Sequence, residues 1–407
     1  MNFIPGGITA AKGFRAGAVH AGVKSKKPDR LDLALIVSDV PCTAAGVYTR
    51  NLVKAAPVIL TKEHLSDGKA QGIVVNSGNA NACAPNARAH AERTAILAQE
   101  LTGIPAEDFI ISSTGVIGQE LNISAIAAAL PGLAQSLDNT DIASDLAARA
   151  IMTTDTVKKE FAVEFLVSGT TCRMGVISKG SGMIHPNMGT TLTFLTTDCC
   201  IASSLLQKAL YDTIKVTMNR VSVDGDTSTN DTCCILANGL AENAKITDEN
   251  EDYAAFCAAL KAILTEVSRA IAADGEGATH LLTVTVQGAK DEKAAETLAK
   301  SVACSSLTKA AIFGADANWG RVLCAMGYSG ADFDPDKTDI SFASAAGEIL
   351  VCEAGTGIVF DEERAKEILT EHEIMILCHC HTGEAEATCW GCDLTYEYVK
   401  INGDYRT

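Results

Sequence analysis

Short apolar runs and longer segments with helical spacing alternate from one end of this chain to the other. LDLALIVSDV and QGIVVNSGN read as strands, and AHAERTAILAQELTG follows with apolar residues three and four apart, as in a helix that buries one face. IISSTGVIG is a short strand entering a glycine-rich turn. ISAIAAALPGLAQSL and DIASDLAARAIMTTD read as helices, the first interrupted by Pro131. EFAVEFLVSGTTCRMGVISKGSG predicts a hairpin that turns at Ser168-Gly169. TLTFLTTDCC is a strand beginning at Thr190 or just after it. The long helix EDYAAFCAALKAILTEVSRAIAAD ends at Gly275, followed by a strand, HLLTVTVQGA, and a helix, DEKAAETLAKSVACSSLTKAAIF. ISFASAAGEILVCE, IMILCHCHTG and CWGCDLTYEYVKI close the chain as strands, with DEERAKEILTEHE as a helix between the first two. The pattern predicts a mixed α/β protein without repeats or a flexible linker.

A chain of 407 residues, 47% hydrophobic, can bury more than one core. Its net charge of −17 argues against a nucleic-acid partner, because phosphate binding needs a basic patch. No window is apolar enough for a membrane span, and MNFIPGGITAAKGF lacks the apolar stretch of a signal peptide. The 15 cysteines are an odd number, and many fall in strand-like runs, as small buried hydrophobes do. Together these features predict reduced thiols and a cytoplasmic protein.

The chemistry concentrates in KGSGMIHPNMGTTLTFLTTD, Lys179 to Asp198. A glycine-rich loop and a Pro-Asn-Met turn lead there into a β-branched strand that starts Thr190-Thr191. If that strand lies at the base of a cleft, the hydroxyl of Thr190 can attack the Gly189 carbonyl and move the acyl group from nitrogen to oxygen. Hydrolysis of the ester then leaves Thr190 with a free α-amine beside its own hydroxyl. Such an amine has a pKa near 8, so an appreciable fraction is an uncharged base at neutral pH and can activate that hydroxyl.

NSGNANAC, SSTGVIG, IMTTDT, KGSGMIHPNMGTTL, VSVDGDTSTND, DGEGATH, DANWGRV and WGCDLTYEYVKINGDYRT occur in order along the chain. In these blocks the sequence resembles the ornithine acetyltransferase (glutamate N-acetyltransferase) family of arginine biosynthesis over essentially its whole length. The resemblance implies an α/β/β/α sandwich core of the self-cleaving N-terminal-nucleophile type, with a smaller additional α/β domain. It implies Thr190 as nucleophile and Gly189–Thr190 as the cleaved bond, dividing the chain into an α chain, 1–189, and a β chain, 190–407, two copies of each associating. Thr114 and Gly115 would form the oxyanion hole, where each donor typically lowers the barrier by about 3–4 kcal/mol. Thr156, Lys179, Thr190, Glu276, Asn402 and Thr407 would contact the amino-acid substrate, Lys179 suiting its carboxylate and Glu276 its ammonium.

The implied reaction is ping-pong acetyl transfer from N-acetylornithine to glutamate through an acetyl-enzyme, with no cofactor. Some members of the family also take acetyl-CoA as donor, a point the residues leave open. The family usually has Ala before the cleaved bond, where this chain has Gly189.

Two other readings compete. The same nucleophile could serve an amidohydrolase or aminopeptidase. Alternatively Cys378, His379, Cys380, His381, Cys389 and Cys392 could hold zinc in a non-enzymatic protein. Alternation along a strand sends Cys378 and Cys380 to one face and the two histidines to the other, and Cys389 and Cys392 flank Trp390-Gly391 inside one of the family blocks, so the expectation is that no metal is bound. Asp224–Asp231 is acidic like a calcium loop but lacks its glycine and terminal glutamate, and its position in a family block makes it a candidate wall of the active site.

Overall fold

A computed structural model describes residues 1–23, 30–185 and 191–404. In chain order the strands of the first part are β1 (Asn2–Ile4), β2 (Phe14–Val19), β3 (Leu33–Tyr48), β4 (Lys69–Asn79), β5 (Phe109–Val116), β6 (Lys159–Val167), β7 (Thr170–Lys179) and β8 (Leu192–Thr197). They are followed by β9 (Val221–Ser222), β10 (Thr232–Ala237), β11 (Leu281–Ala289), β12 (Asp339–Ser344), β13 (Gly347–Glu353), β14 (Thr356–Gly357), β15 (Glu373–His379) and β16 (Ala385–Cys392). The helices are α1 (Ala56–His64), α2 (Ala87–Thr102), α3 (Ile123–Gln135), α4 (Asp141–Ala150), α5 (Ser203–Val216) and α6 (Glu251–Ala273). The last five are α7 (Glu292–Cys304), α8 (Ser306–Phe313), α9 (Trp319–Gly327), α10 (Glu362–Leu369) and α11 (Tyr396–Asp404).

The long strand β3 explains the main layers. Its first half pairs with β2 and β4; its second half, beyond a bulge between Val37 and Cys42, pairs with β10. One ladder thereby joins two half-sheets, β1-β6-β7-β8-β10 and β2-β3-β4-β5. Side-chain alternation assigns the faces. Ala34, Ile36, Ile73 and Val75 pack across the interlayer with Ile177, Phe194, Cys234 and Leu236. Met174, Val176, Leu195 and Ile235 point the other way, onto α5 and α6. Leu33, Leu35 and Val74 point outward onto α2 and α3. The order helix, sheet, sheet, helix is the α/β/β/α sandwich that the resemblance implies. A separate seven-stranded sheet, β14-β13-β12-β15-β11-β16-β9, carries its own core against α7, α9 and α10, which is the smaller α/β unit.

Strands from both sides of position 189/190 share one sheet: β7 pairs with β8 from Lys179↔Leu192 to Met174↔Thr197. A break in the connection between them would leave this ladder and the interlayer cluster in place.

Several local expectations change. ISFASAAGEILVCE is not one strand but the hairpin β12–β13, which reverses at Ala345-Ala346, and the strand read over LDLALIVSDV continues to Tyr48. Pro131 does not interrupt α3; the lost hydrogen bond, which costs about 3 kcal/mol in a helix interior, is offset by burial of Ile126, Leu130 and Leu133. The helix foreseen over Asp291–Phe313 is two, because the Ser305 hydroxyl accepts the Thr308 amide at 3.2 Å and caps α8. Of CWGCDLTYEYVKI only the beginning is strand, since Tyr396 onward forms α11, where Tyr396 is 83% exposed. Ser168 and Gly169 turn the hairpin as expected, both with positive φ.

Candidate active site

A cleft of about 110 Å³ opens at the ends of β5 and β7, and residues far apart in sequence line it. Thr114 and Gly115 come from the end of β5, Lys179 from the end of β7, and Ser228, Thr229 and Asn230 from the turn before β10. Glu276 follows α6, and Asn402 lies on α11.

Glycine at 115 is obligatory on two counts. Its φ is +128°, and a Cβ there would sit 2.3 Å from the carbonyl carbon of Gly78. The β4–β5 ladder slips at the same point, Asn79 facing both Thr114 and Val116. Asn230 locks this corner from behind, donating through its buried amide to Ala80 O at 2.7 Å and Ser113 O at 2.8 Å. The buried Lys179 ammonium donates to the Thr114 hydroxyl at 3.5 Å.

Across the cleft, Asn402 donates to Glu276 Oε2 at 2.7 Å. Glu276 leaves no room for a side chain at Gly182, whose Cβ would lie 2.3 Å from that carboxyl. Asn402 thus lies on the cleft beside Glu276.

Behind these walls lies a buried ionic cluster. The fully buried Lys159 ammonium donates to Asp155 Oδ1 at 2.7 Å and to Asp274 Oδ2 at 2.5 Å. Asp155 also accepts the Gly180 amide at 2.7 Å and the Thr153 amide through its other oxygen at 2.9 Å. Burial penalises the Asp155 carboxylate, but Lys159 and Lys179 outweigh it and hold its pKa well below the usual carboxylate range. Thr156 belongs to this cluster and is not among the lining residues of the cleft: its amide and hydroxyl donate to Asp274. Thr153 and Thr154, from the same turn, line the cleft in its place.

Asp224 accepts the Met183 and Ile184 amides at 2.7 and 2.9 Å, and the Thr227 hydroxyl donates to His185 O at 2.7 Å. These bonds fix the acidic turn against the segment that precedes residues 186–190. Burial, with Lys300 nearby, pushes His185 down to about 4, so its imidazole is neutral at pH 7. Burial also raises the Asp231 carboxyl well above its usual range, against the opposing charge of Lys179.

Gly189, Thr190 and Thr407 lie outside the described residues. The adjacent Thr191 is buried; its carbonyl accepts the Thr232 amide at 2.8 Å, and its methyl group lies where a Cβ on Gly180 would be, 2.8 Å away. The described chain thus resumes beside the Lys179–Gly180 wall.

Lys159, Asp155, Asp274 and Asn230 carry no signal of their own in the sequence, although IMTTDT, VSVDGDTSTND and DGEGATH contain three of them. Cys378 and Cys380 are buried in the second core while His379 and His381 reach the surface. Among the described residues no group of three or more potential ligands is placed to hold a metal ion, and no helix is long and apolar enough to cross a membrane.

The profile of the ArgJ family matches residues 15–407. The arginine biosynthesis bifunctional protein ArgJ of Symbiobacterium thermophilum is 48% identical over 408 residues, which span 100% of both chains. A crystallographic chain of the arginine biosynthesis bifunctional protein argJ from Bacillus halodurans is 43% identical, with a TM-score of 0.50, and covers 52% of this chain and 98% of its own length. A chain of the ornithine acetyltransferase of Mycobacterium tuberculosis, solved with ornithine, is 37% identical over 46% of this chain and 98% of its own, with a TM-score of 0.42.

Proposed function

The chain belongs to the ArgJ family and is an acetyltransferase of arginine biosynthesis, and from that premise we propose that Thr190 carries the acetyl group between N-acetylornithine and glutamate. The observation that carries the reading is the convergence of Thr114–Gly115, Lys179, Glu276 and Asn402 on one cleft beside Thr191.

Thr190 first attacks the Gly189 carbonyl and the resulting ester is hydrolysed, giving an α chain of 1–189 and a β chain of 190–407. The Bacillus halodurans chain, about half the length of this one, has the size expected of one such fragment. The shared β7–β8 ladder supports continued association of the two pieces. In the mature enzyme the free α-amine of Thr190 takes the hydroxyl proton, and the oxygen attacks the acetyl carbonyl of N-acetylornithine. The Thr114 hydroxyl and the Gly115 amide stabilise the oxyanion. The amide C–N bond breaks, ornithine leaves with the proton, and an acetyl ester remains. The amine of glutamate then attacks that ester and restores Thr190. Lys179 holds the substrate carboxylate and Glu276 the ammonium of the ornithine side chain. Thr156 acts at one remove, by orienting Asp274, and Thr407 completes the pocket from the C-terminus.

Without glutamate, mixing enzyme with N-acetylornithine should release one ornithine per active site and then stop. Continuous release of ornithine and acetate would instead identify a hydrolase. We further propose that acetyl-CoA serves as a second donor, checked by glutamate-dependent release of CoA. The enzyme acts in the cytoplasm as two copies of each fragment.

Two substitutions test the walls of the cleft. Gly115→Ala should lower kcat for transfer by roughly 10²–10³, because the Cβ drives β5 from Gly78 and misplaces an oxyanion donor. Steady-state kinetics on protein of unchanged circular dichroism reads it. Glu276→Gln keeps the shape and the Asn402 contact but removes the charge; KM for N-acetylornithine should rise by roughly tenfold or more, in line with losing a charged hydrogen bond. An unchanged KM would mean that Glu276 does not face the ammonium.

A further inference from the structure

Outside the cleft, a concavity of about 690 Å³ lies between the end of β3 and α1, lined by Tyr48, Arg50, Lys54, Val58, Ile59 and Lys62 among others. It continues into a second groove of about 430 Å³ that shares Tyr48, Arg50, Lys62 and Ser66 and ends at Tyr211. Three cations face this groove in a chain that carries 50 acidic residues against 33 basic ones. The lining carboxylate Glu63 is neutralised from outside, taking both its bonds from the Arg88 guanidinium at 3.0 and 2.7 Å. Among the described residues neither Arg50 nor Lys62 has a carboxylate within ion-pair distance, and Lys54 donates only to the Asn51 carbonyl. Positive charge without internal partners, beside an apolar wall of Tyr48, Val58 and Ile59, suits a ligand with phosphates on a flat apolar body.

The groove and the catalytic cleft share a wall. The Thr49 hydroxyl donates to Ser228 O at 2.7 Å, the Asn51 side chain to Thr227 O at 2.9 Å, and the Ala55 amide to Thr229 O at 3.0 Å. Val58, which lines the groove, packs in one cluster with Ala80, which lines the cleft. Between Asn51 and Ala55 the chain exposes Leu52, 94%, and Val53, 50%.

We propose that this groove binds the phosphorylated nucleotide end of a thioester acyl donor, acetyl-CoA, and that its thiol arm crosses Leu52–Val53 into the cleft. Arg50 and Lys62 take the phosphates, and the base rests on Tyr48 and Ile59. The assignment rests on acetyl-CoA as the second donor. In that half-reaction the Thr190 oxygen forms its bond to the acetyl carbon, the carbon–sulfur bond breaks, and the leaving thiolate takes the proton held by the α-amine.

The test compares the purified, cleaved enzyme with an Arg50→Glu, Lys62→Glu double variant. Adenosine 3′,5′-bisphosphate is the probe in calorimetry, and kinetics is run with each acetyl donor. The wild type should bind the bisphosphate, and the variant should bind it roughly a hundredfold more weakly, as expected for two lost charged contacts. The KM for acetyl-CoA should rise in parallel while transfer from N-acetylornithine stays unchanged. Absence of bisphosphate binding, or equal binding by both proteins, overturns the site. If the wild type releases no CoA with glutamate, the second-donor reading fails on its own, and bisphosphate binding still decides the groove. Bisphosphate that binds but does not compete with acetyl-CoA marks a site for a free nucleotide and overturns the donor assignment.

Discussion

Thr190→Ala should leave a single uncut chain of 42.5 kDa and lower acetyl transfer by roughly 10⁴-fold or more. Both losses have one cause. The hydroxyl that attacks the Gly189 carbonyl is the hydroxyl that later attacks the acetyl donor, and the α-amine that serves as base in the second reaction exists only after the first. Among the described residues the histidine nearest in sequence, His185, is a half-buried imidazole that bonds to Ser222 and is neutral at pH 7, so it holds no charge of its own to lend. Thr190→Ser keeps the hydroxyl and the amine, so it should retain cleavage and transfer at reduced rates. Intact mass under denaturing conditions reads the first effect and acetylglutamate formation the second. An alanine variant that transfers acetyl groups at the wild-type rate would remove Thr190 from the mechanism. One that is cut normally would place the processing nucleophile elsewhere.

Much of the architecture was legible because strands and helices alternate with different periods, and the hairpin at Ser168-Gly169 shows how local that information is. The bend of β3 was not legible. The sequence reads as a strand only as far as Val40, because Ser38-Asp39 and Pro41 look like its end; they mark instead the shift between Val37 and Cys42, beyond which the same strand pairs with β10. The split between α7 and α8 was missed although a serine cap lay in plain view at Ser305, because the apolar spacing continues on both sides. For the cleft, Thr114, Gly115, Lys179, Glu276 and Asn402 came from the resemblance, and the geometry brings them together. Nothing in the composition could assign Lys159, Asp155 and Asp274 to one buried cluster. Charges in loops are usually solvated, and these meet only because the turn after α4, the start of β6 and the end of α6 converge in the fold.

That cluster carries the second large effect expected here. Lys159→Met should destabilise the protein at pH 7 by about 3–5 kcal/mol, because it strands two buried carboxylates beside an apolar chain. The loss would reach the active site as well. Asp155 holds the Gly180 amide next to Lys179, and Asp274, two residues before Glu276, anchors Thr156 and receives the Ser181 hydroxyl on its carbonyl. The bonds of Asp274 to Thr156, Lys159 and Ser181 tie segments before position 189 to one after it, so they also hold the proposed fragments together.

The pH dependence has a definite sign. Asp155 is depressed in the folded state, so its contribution is complete above the usual carboxylate pKa of about 3.9 and is lost as pH falls through its lower folded value. In the variant, burial remains while the principal cation is gone, which moves the Asp155 carboxyl upward from its wild-type position. Protonation on acidification then relieves the stranded charge, so the stability gap between variant and wild type should narrow as pH drops from 7 into the carboxylate range. Urea denaturation at a series of pH values measures that gap. Adding Asp155→Asn to Lys159→Met should recover part of the loss at pH 7, because one of the unpaired charges is removed. A gap that stays constant with pH, or a double variant no more stable than the single one, would show that Lys159 contributes through packing of its stem and not through its charge.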